Sequence, residues 1–408
     1  MKYKALSSIF YSDNNKYLKI YTDRYNSEST YRFNFKVSRY DSFVVINHDI
    51  LQRVESIMEL DRELLRKMNN VPLIALNQYT KKCLIDEIRM TNEIEGVIST
   101  RKEINDILND KTHENKKRRL YGLVKKYELL MEEDIQLLEC EDIRKLYNEL
   151  VLKEVIEENP KNEPDGSIFR KDKVYVQNPS GKIIHSGIYP EDELIKCMTN
   201  GLSILNNDEY NFLIRIAVFH YIFGYIHPFY DGNGRTSRFI SSYLLSQKLQ
   251  YLVSYKLSYT IKENISSYYK SFKETNDEKS RGDLTIFVIK FFDMLIKSLN
   301  DLCESLDDRH NKLNYFGDIA DKIAAEDEKK ASILFILVQN TLFGEDGLSI
   351  DELHDILNAD KYKLSNVGKS KIRTSLKELE KEEILYITKD GRRNLYDVDL
   401  NAMSNLNL

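Results

Sequence analysis

The chain lacks tryptophan and has few of the residues that interrupt or cross-link a fold. Its 408 residues include only 6 Pro, 15 Gly and 4 Cys. So little Pro and Gly predicts a helix-rich protein with few linkers. The cysteines lie far apart, with no CxxC pair and no histidine at metal spacing, which argues against a disulfide framework or a zinc motif and predicts reduced thiols. They are Cys83, Cys140, Cys197 and Cys303.

An excess of positive charge and a long apolar run are missing as well. The net charge of −5 argues against a molecule that binds nucleic acid or anionic membrane through its overall charge. No apolar run reaches the ~18 residues of a membrane span, and the N-terminus shows no signal-peptide pattern. We therefore expect a cytoplasmic protein without a membrane partner. The length predicts two or three domains.

What the sequence does contain is one dense stretch, HPFYDGNGRTSR, at residues 227–238. The apolar segment 211–226 before it predicts a buried helix, which Pro228 ends. A second helix is predicted at 236–250, where apolar residues recur at helical spacing. The motif therefore joins two helices, with His227 at the end of the first.

The turn within this stretch has the composition of an anion site. Gly232 and Gly234 flank Asn233 and free backbone N–H groups at the start of the second helix, where the helix dipole is positive. Arg235 and Arg238 are three residues apart and are expected to share one helix face. These residues predict a site for phosphate groups.

Asp231 and His227 add chemistry to this anion site. A carboxylate beside an anion is unfavourable unless a cation joins it, and Mg²⁺ bridging phosphates is the natural candidate for Asp231. His227 has an ordinary pKa of about 6.5 and can serve as a general base. The alternative from the residues alone is a phosphate-binding turn with a satisfied histidine and solvated arginines.

The stretch resembles the signature HPFx(D/E)GNGRxxR of the Fic family, with Tyr230 at the first variable position. The resemblance implies a Fic-type helical domain that transfers AMP from Mg·ATP to a Ser, Thr or Tyr hydroxyl of a target protein, or of the chain itself. It implies that His227 is the base, Asp231 holds Mg²⁺, and residues 232–234 cradle the α and β phosphates. Arg235 would then stabilise the β-phosphate and Arg238 the γ-phosphate.

A second motif, TNEIEG, lies at residues 91–96. It closes a helix predicted from about residue 77, with Gly96 suited to a left-handed C-terminal position. Glu95 then sits where the helix dipole disfavours a carboxylate by about 0.3–1 kcal/mol. Without further context it reads as a solvated glutamate. The hexapeptide is similar to the Fic inhibitory motif (S/T)xxxE(G/N), which implies a salt bridge from Glu95 to Arg238.

Two short alternating segments around a Pro/Gly turn at 178–181 predict a β-hairpin. Its position is similar to the Fic flap, which aligns a target by strand addition. Ile183, Ile184 and His185 are the flap candidates, and His185 fits a structural or target-facing role better than a second base. Tyr268 and Tyr269 stand where the family often has aromatics near adenine, although packing explains them equally well.

The N-terminal region, residues 1–76, is expected to form a cap of short strands followed by a helix. The strand candidates are 17–21 and 31–35, and the helix is predicted at 49–68. The catalytic region with its inhibitory helix is assigned to 77–305. Closing helices are predicted at 258–275 and 284–302, followed by a polar connector at 307–330.

Residues 326–400 read as three helices and a hairpin around Asp390–Gly391, which resembles a winged helix. Basic residues on its third helix and wing could meet DNA phosphates: Lys369, Lys371, Arg373, Lys377, Arg392 and Arg393. Residues 331–408 nevertheless contain 10 Lys and Arg against 13 Asp and Glu. DNA binding, protein binding and homodimer formation therefore all stay open for this module.

The expected architecture is mainly α, a Fic-type domain with a β-hairpin flap and a C-terminal winged helix-turn-helix domain. Three functional alternatives accompany it. Glu95 could orient water for hydrolytic removal of AMP. The donor could be another nucleotide, since the motif says little about the base. The chain could also be a DNA-binding regulator that senses nucleotide.

Overall fold

The structure is a computed structural model that describes residues 3–110, 118–177, 183–359, 367–391 and 393–406. The predicted flap turn at 178–181, the side chains of Ile183 and Ile184, and Arg392 lie outside the described residues. Over the described ranges, no helix combines the length and apolar character needed to cross a membrane. The four cysteines all lie in these ranges, and none of them forms a disulfide.

The architecture is mainly helical, as predicted, and the described strands form two-stranded antiparallel sheets. The elements before the motif are α1 Leu6–Ser12, α2 Asn14–Asn26, β1 Thr30–Val37, β2 Tyr40–Val45, α3 His48–Asn69, α4 Leu73–Ile94, α5 Arg101–Leu108, α6 Tyr121–Glu128, α7 Cys140–Tyr147, a π-helical turn Asn148–Leu152, α8 Lys153–Glu158, β3 Tyr175–Gln177, β4 Ile183–Ser186 and α9 Glu191–Leu205. The elements from the motif onward are α10 Phe212–Ile226, α11 Asn233–Ser246, α12 Leu257–Glu263, α13 Ile265–Asn276, α14 Thr285–Ala324, α15 Glu328–Phe343, α16 Ile350–Leu357, α17 Lys369–Lys381, β5 Leu385–Asp390, β6 Arg393–Val398 and α18 Leu400–Asn405.

The chain divides into two compact units. The first contains residues 1–61 and 84–300, and the second contains residues 62–83 and 301–408. Every residue of the two motifs at 91–96 and 227–238 lies in the first unit.

The N-terminal segment shows one wrong expectation. Residues 17–21, predicted as a strand, belong to α2, whereas 31–35 lie in β1 as predicted. The aromatic rings of Tyr17, Tyr21 and Tyr25 recur every four residues, the spacing of one helix face. Tyr21 and Tyr25 pack against Phe43 with ring centroids 6.1 and 5.4 Å apart. The four-residue spacing of the tyrosines therefore predicts the structure here better than the strand-like alternation of residues 17–21.

Helix α10 forms the centre of the first unit. It is apolar on all sides, and only Phe212, Arg215 and Gly224 are not fully buried. Asn211 caps its start, since its side chain accepts a hydrogen bond from the Leu213 N–H at 3.0 Å. Helices α9 and α11 pack against it. A helix buried on every face is a rigid support for whatever stands at its end.

Two later expectations also need correction. The helix predicted at 258–275 is broken at Asn264 into α12 and α13. The polar connector predicted at 307–330 is instead mostly helix, because α14 continues to Ala324. Leu313, Phe316 and Ala320 are buried at helical spacing along this stretch. A narrow apolar stripe thus outweighs the polar composition.

In the second unit, α15, α16 and α17 precede a β5–β6 hairpin whose turn contains Gly391 at φ 60°. Leu385 pairs with Val398 and Asp390 with Arg393, so the register closes on the predicted Asp-Gly turn. Ser349 caps α16 through a capping box with Glu352. The order of elements is as predicted, and the winged-helix assignment itself stays a prediction.

Candidate active site

His227 stands at the C-terminal end of α10 in the left-handed conformation, with φ 55° and ψ 64°. Its N–H donates to Phe223 O at 3.0 Å, and Pro228 prevents any continuation of the helix. Burial lowers the pKa of His227 to about 4, although the Glu95 carboxylate opposes the shift. The imidazole is therefore neutral near pH 7 and can accept a proton.

His185, on strand β4, lies against the same helix end. Its Nε2 is 2.6 Å from the carbonyl oxygen of Tyr225, and the two rings are 4.7 Å apart. A carbonyl only accepts, so Nε2 carries the proton and donates. Burial lowers the pKa of His185. This histidine fastens the predicted flap to α10.

The turn after His227 is closed by its own side chains. The Asn233 amide accepts from the Phe229 N–H at 2.9 Å and donates to the Phe229 carbonyl at 2.8 Å. Phe229 stacks on Tyr147 with centroids 3.6 Å apart. Tyr230 donates to Asp165 at 2.9 Å. The Asn233 side chain thus fixes the shape of the turn. Because that side chain is already bonded to Phe229, Asn233 can offer a ligand only its backbone N–H.

Gly232 takes φ 74° and precedes the first residue of α11, so it places the free N–H groups of that helix at the turn. A Cβ at Gly232 would lie 2.9 Å from Val151 and 3.2 Å from Tyr147. The preceding carboxylate, Asp231, is partly exposed and accepts from the Gly232 N–H. Within the described residues, no group of three or more His, Cys, Asp or Glu could hold a metal ion.

Arg238 is buried, and Thr91 of α4 and Glu95, the residue after that helix, hold it through three groups. Its Nη1 lies 2.8 Å from Oε1 of Glu95, and its Nε and Nη2 donate to the Thr91 hydroxyl and carbonyl at 2.9 and 2.8 Å. The guanidinium side chain is 2% exposed and that of Glu95 is 30% exposed. The structure therefore brings the two predicted motifs into direct contact.

Glu95 also lies over the start of α11. A Cβ added to Gly234 would overlap Oε1 of Glu95 and lie 2.8 Å from Nη1 of Arg238. The carboxylate consequently occupies the approach to the helix N-terminus, where an anion is favoured. Gly96 follows with φ 78°, the left-handed position that ends α4.

Arg235 points elsewhere. It is 0% exposed, and its Nη1 lies 2.9 Å from Oε1 of Glu154 on α8. Among the residues that the structure describes, its Nε and Nη2, and Oε2 of Glu154, have no hydrogen-bond partner. Burial raises the pKa of Glu154 and the Arg235 charge opposes this. The two motif arginines thus face two different carboxylates instead of converging on one point.

The aromatic candidates separate. Tyr268 is buried, and its hydroxyl lies 2.8 Å from Nε2 of His220, whereas Tyr269 is 47% exposed. Burial lowers the pKa of His220 to about 3, so it is a neutral core histidine. Of the two tyrosines, only Tyr269 is exposed enough to contact a ligand.

Sequence reasoning did not single out Glu87, Glu154 or Arg170. Glu87 is fully buried beside α12, where it accepts from the Ser258 N–H at 2.8 Å, and burial raises its pKa to about 7. Arg170 is 1% exposed and donates to the His227 carbonyl. Glu87 could have been found from its spacing, because it lies four residues before Thr91 of the second motif and so shares a face of α4 with it. Glu154 and Arg170 carry no local signal, because their partners lie 81 and 57 residues away.

Comparison with known proteins gives consistent matches. A family model described as Fic/DOC family matches residues 137–245. A curated protein adenylyltransferase Fic from Drosophila mojavensis is 32% identical over 166 residues, which cover 39% of this chain and 30% of that protein. A crystal structure of a Fic family protein from Desulfovibrio desulfuricans G20 is similar in fold, with a TM-score of 0.52 and 19% identity, over 87% of this chain and 97% of that one.

Proposed function

The chain carries a Fic/DOC family domain, and from this premise we propose that it transfers AMP from Mg·ATP to a hydroxyl group of a target protein. The observation that supports this best is the meeting of two helix ends. A histidine of low pKa ends α10, and a buried arginine and free N–H groups stand at the start of α11. One end suits a proton acceptor and the other suits a phosphate chain.

In the proposed reaction, the target hydroxyl gives its proton to the neutral imidazole of His227. The hydroxyl oxygen forms a bond to the α-phosphorus as the bond from that phosphorus to the bridging oxygen breaks. Pyrophosphate leaves, and AMP stays on the target. Fixed in the left-handed conformation at the end of a buried helix, His227 has a defined direction in which to accept the proton.

On the phosphate side, the backbone N–H groups at residues 233 and 234 would receive the α and β phosphates, joined by that of Gly232 once Asp231 releases it, and Arg238 would receive the γ-phosphate. Asp231 fits the ligand that Mg²⁺ requires, since this ion is often bound by one carboxylate together with substrate phosphates. When bound, Mg²⁺ would supply charge neutralisation to the phosphates. Arg235 can act on the β-phosphate only if Glu154 shares it or releases it.

We further propose that this form of the protein is inhibited. Glu95 and Thr91 hold all three donor nitrogens of Arg238, and Glu95 covers the start of α11. A γ-phosphate would have to displace that carboxylate. Since Glu95 is the partly exposed member of the pair, moving the end of α4 would free the arginine.

The test is label transfer to proteins of a cell lysate, counted above the label of the same lysate without the chain, with ATP labelled at the α-phosphate and, in parallel, at the γ-phosphate. We expect the full chain with Glu95→Gly to label protein from the α position alone, and the same chain with His227→Ala added to label none. Label from the γ position would identify a kinase and contradict the proposal. Release of AMP from modified protein without any transfer would favour the hydrolytic reaction instead.

A further inference from the structure

Arg170 is a buried cation without a carboxylate. Its Nε donates to His227 O at 2.9 Å, its Nη2 to Ile188 O at 3.0 Å and Ile226 O at 3.4 Å, and its Nη1 to Asp172 O. In the part of the chain that the structure describes, it makes no ion pair. Burying a cation in this way is costly unless its donors are satisfied.

The acceptors explain the position. Two of them, Ile226 O and His227 O, belong to the end of α10, where the last carbonyls lack helical partners and the dipole is negative. The planar guanidinium can reach several of these oxygens at once, which an ammonium cannot. Arg170 thus caps α10 from a loop that leads into strand β3.

The capped residue is the proposed base. A non-glycine residue in the left-handed region costs roughly 1 kcal/mol or more and persists only where its surroundings hold it. Arg170 fixes the His227 carbonyl, and the Ile188 N–H donates to Ile226 O at 3.0 Å. A Cβ at Gly187 would lie 2.5 Å from Nη2 of Arg170 and 3.2 Å from Cβ of His227. The packing leaves neither group room to shift.

We propose that Arg170 is a positioning residue that holds His227 in its left-handed conformation and connects the base to the flap strands. The proposal rests on the proposed function in that it takes His227 to be the base. The charge of Arg170 also keeps His227 able to accept a proton, because a cation close to His227 disfavours the imidazolium form. Arg170 lies on the base side of the turn and does not bond any group at the start of α11, so it should leave nucleotide affinity unchanged.

The experiment titrates the histidines of the full chain by NMR and measures transfer in parallel. The His227 resonance is the one that His227→Ala removes among the 7 histidines. With Arg170→Met, we expect the His227 pKa to rise from about 4 but to stay below the ordinary ~6.5, because burial remains the main cause of its lowering. We expect kcat to fall about 10- to 100-fold at pH 8, as for a misplaced catalytic group, while ATP affinity stays within about twofold. With Arg170→Lys the charge is kept, so the pKa should stay low while kcat still falls.

Gly187→Ala serves if Arg170→Met does not fold, because its Cβ would press most closely on Nη2 of Arg170, at 2.5 Å, and less on Cβ of His227, at 3.2 Å. A smaller fall of kcat and a shifted His227 resonance are expected. Arg144→Met is the matched control, since Arg144 donates to Ile168 O at 2.7 Å in the same loop without touching His227. An unchanged His227 pKa and kcat in both Arg170→Met and Gly187→Ala would overturn the inference. An Arg170→Met shift of the His227 pKa, together with no transfer even by the Glu95→Gly chain, would instead overturn the proposed function and leave the positioning of His227 standing.

Discussion

The end of α10 and the start of α11 are neighbours in the motif, yet they are held in opposite ways. At the end of α10, Arg170 and His185 donate to backbone carbonyls, which no ligand can replace. At the start of α11, Arg238 is held by Glu95, a side chain that is 30% exposed. We call the His227 end of α10 the base side and the first turns of α11, with Arg238, the phosphate side. The contacts of the base side are therefore fixed, and the contact that holds the phosphate side can be exchanged for a ligand. From this difference we propose that control of the site acts through the phosphate side.

Glu154 sharpens this contrast. It pairs with Arg235 as Glu95 pairs with Arg238, but its side chain is only 6% exposed. Removing one partner of a buried pair leaves an uncompensated charge, which typically costs 3–5 kcal/mol. Glu154 therefore belongs with the fixed contacts, although it binds a residue of the phosphate side.

The largest expected effect is on the base side. His227→Ala should lower transfer about 10²- to 10⁴-fold, the usual contribution of a general base. ATP affinity should hardly change, because the imidazole acts on the acceptor. Calorimetry of ATP binding beside the transfer assay checks both statements. Near-wild-type labelling by the variant would end the assignment of His227 as base.

On the phosphate side, Asp231→Asn should shift the Mg²⁺ dependence of transfer to higher Mg²⁺ concentrations. A hard cation prefers a charged oxygen ligand, and losing even an indirect partner of a metal costs about 10- to 100-fold in affinity or activity. A titration of transfer rate with Mg²⁺ measures the shift. Transfer that is indifferent to EDTA in the unaltered chain would show that Asp231 has another role.

The pH profile of transfer tests whether burial lowers the pKa of His227. Because burial lowers the pKa of His227 to about 4, the unprotonated form should persist well below pH 6.5. The acid limb of kcat/KM reports the free enzyme, so we expect it near pH 4 to 5. Arg170→Met should move this limb upward. A limb at about 6.5 in the unaltered chain would indicate an exposed, unperturbed histidine.

The smallest expected effect concerns the pH dependence of the protein's thermal stability, through the buried carboxyl of Glu87. Burial raises the pKa of Glu87 to about 7, above the ordinary value of 4.5. Between these values the folded state binds more protons than the unfolded state, so this group makes stability fall as pH rises from about 4.5 to 7. Glu87→Gln should match the unaltered chain in Tm at pH 5 and exceed it by roughly 2–4 °C at pH 8.

A scan of Tm against pH measures this difference, with Glu93→Gln as the surface control. Glu93 pairs with Lys262 at 3.0 Å and is half exposed, so its substitution should not alter the slope. A Glu87→Gln variant that is less stable at pH 8 would show that the buried carboxyl is ionised and needed as a partner of Arg238.

Much of this arrangement could be predicted from the sequence, because its signals are local. Pro228, Gly232 and Gly96 mark a helix end, a turn and a second helix end, and the structure has all three there. The pairing of Glu95 with Arg238 came from the family resemblance, since 143 residues separate them and no local pattern connects them.

The contacts of Arg170 and Arg235 were out of reach for a physical reason. Burial of an arginine depends on acceptors that long-range packing supplies. Neither the loop around Arg170 nor helix α8 has a periodic pattern from which these contacts could be predicted. The expectation that Arg235 and Arg238 share one face was reasonable from spacing alone. Their partners lie on α8 and α4, and these pull the two side chains apart.

The central claim is that Glu95 holds the phosphate side closed, and Glu95→Gly tests it most directly. Transfer rates of the full chain should be compared with those of Glu93→Gly, which also exchanges a glutamate for glycine at the end of α4 but leaves Arg238 paired. We expect Glu95→Gly to raise transfer at least tenfold with little change in ATP affinity, and Glu93→Gly to leave both unchanged. Adding Arg238→Ala to Glu95→Gly should abolish the gain, because both changes act on one group. Equal transfer rates for Glu95→Gly, Glu93→Gly and the unaltered chain would contradict the account.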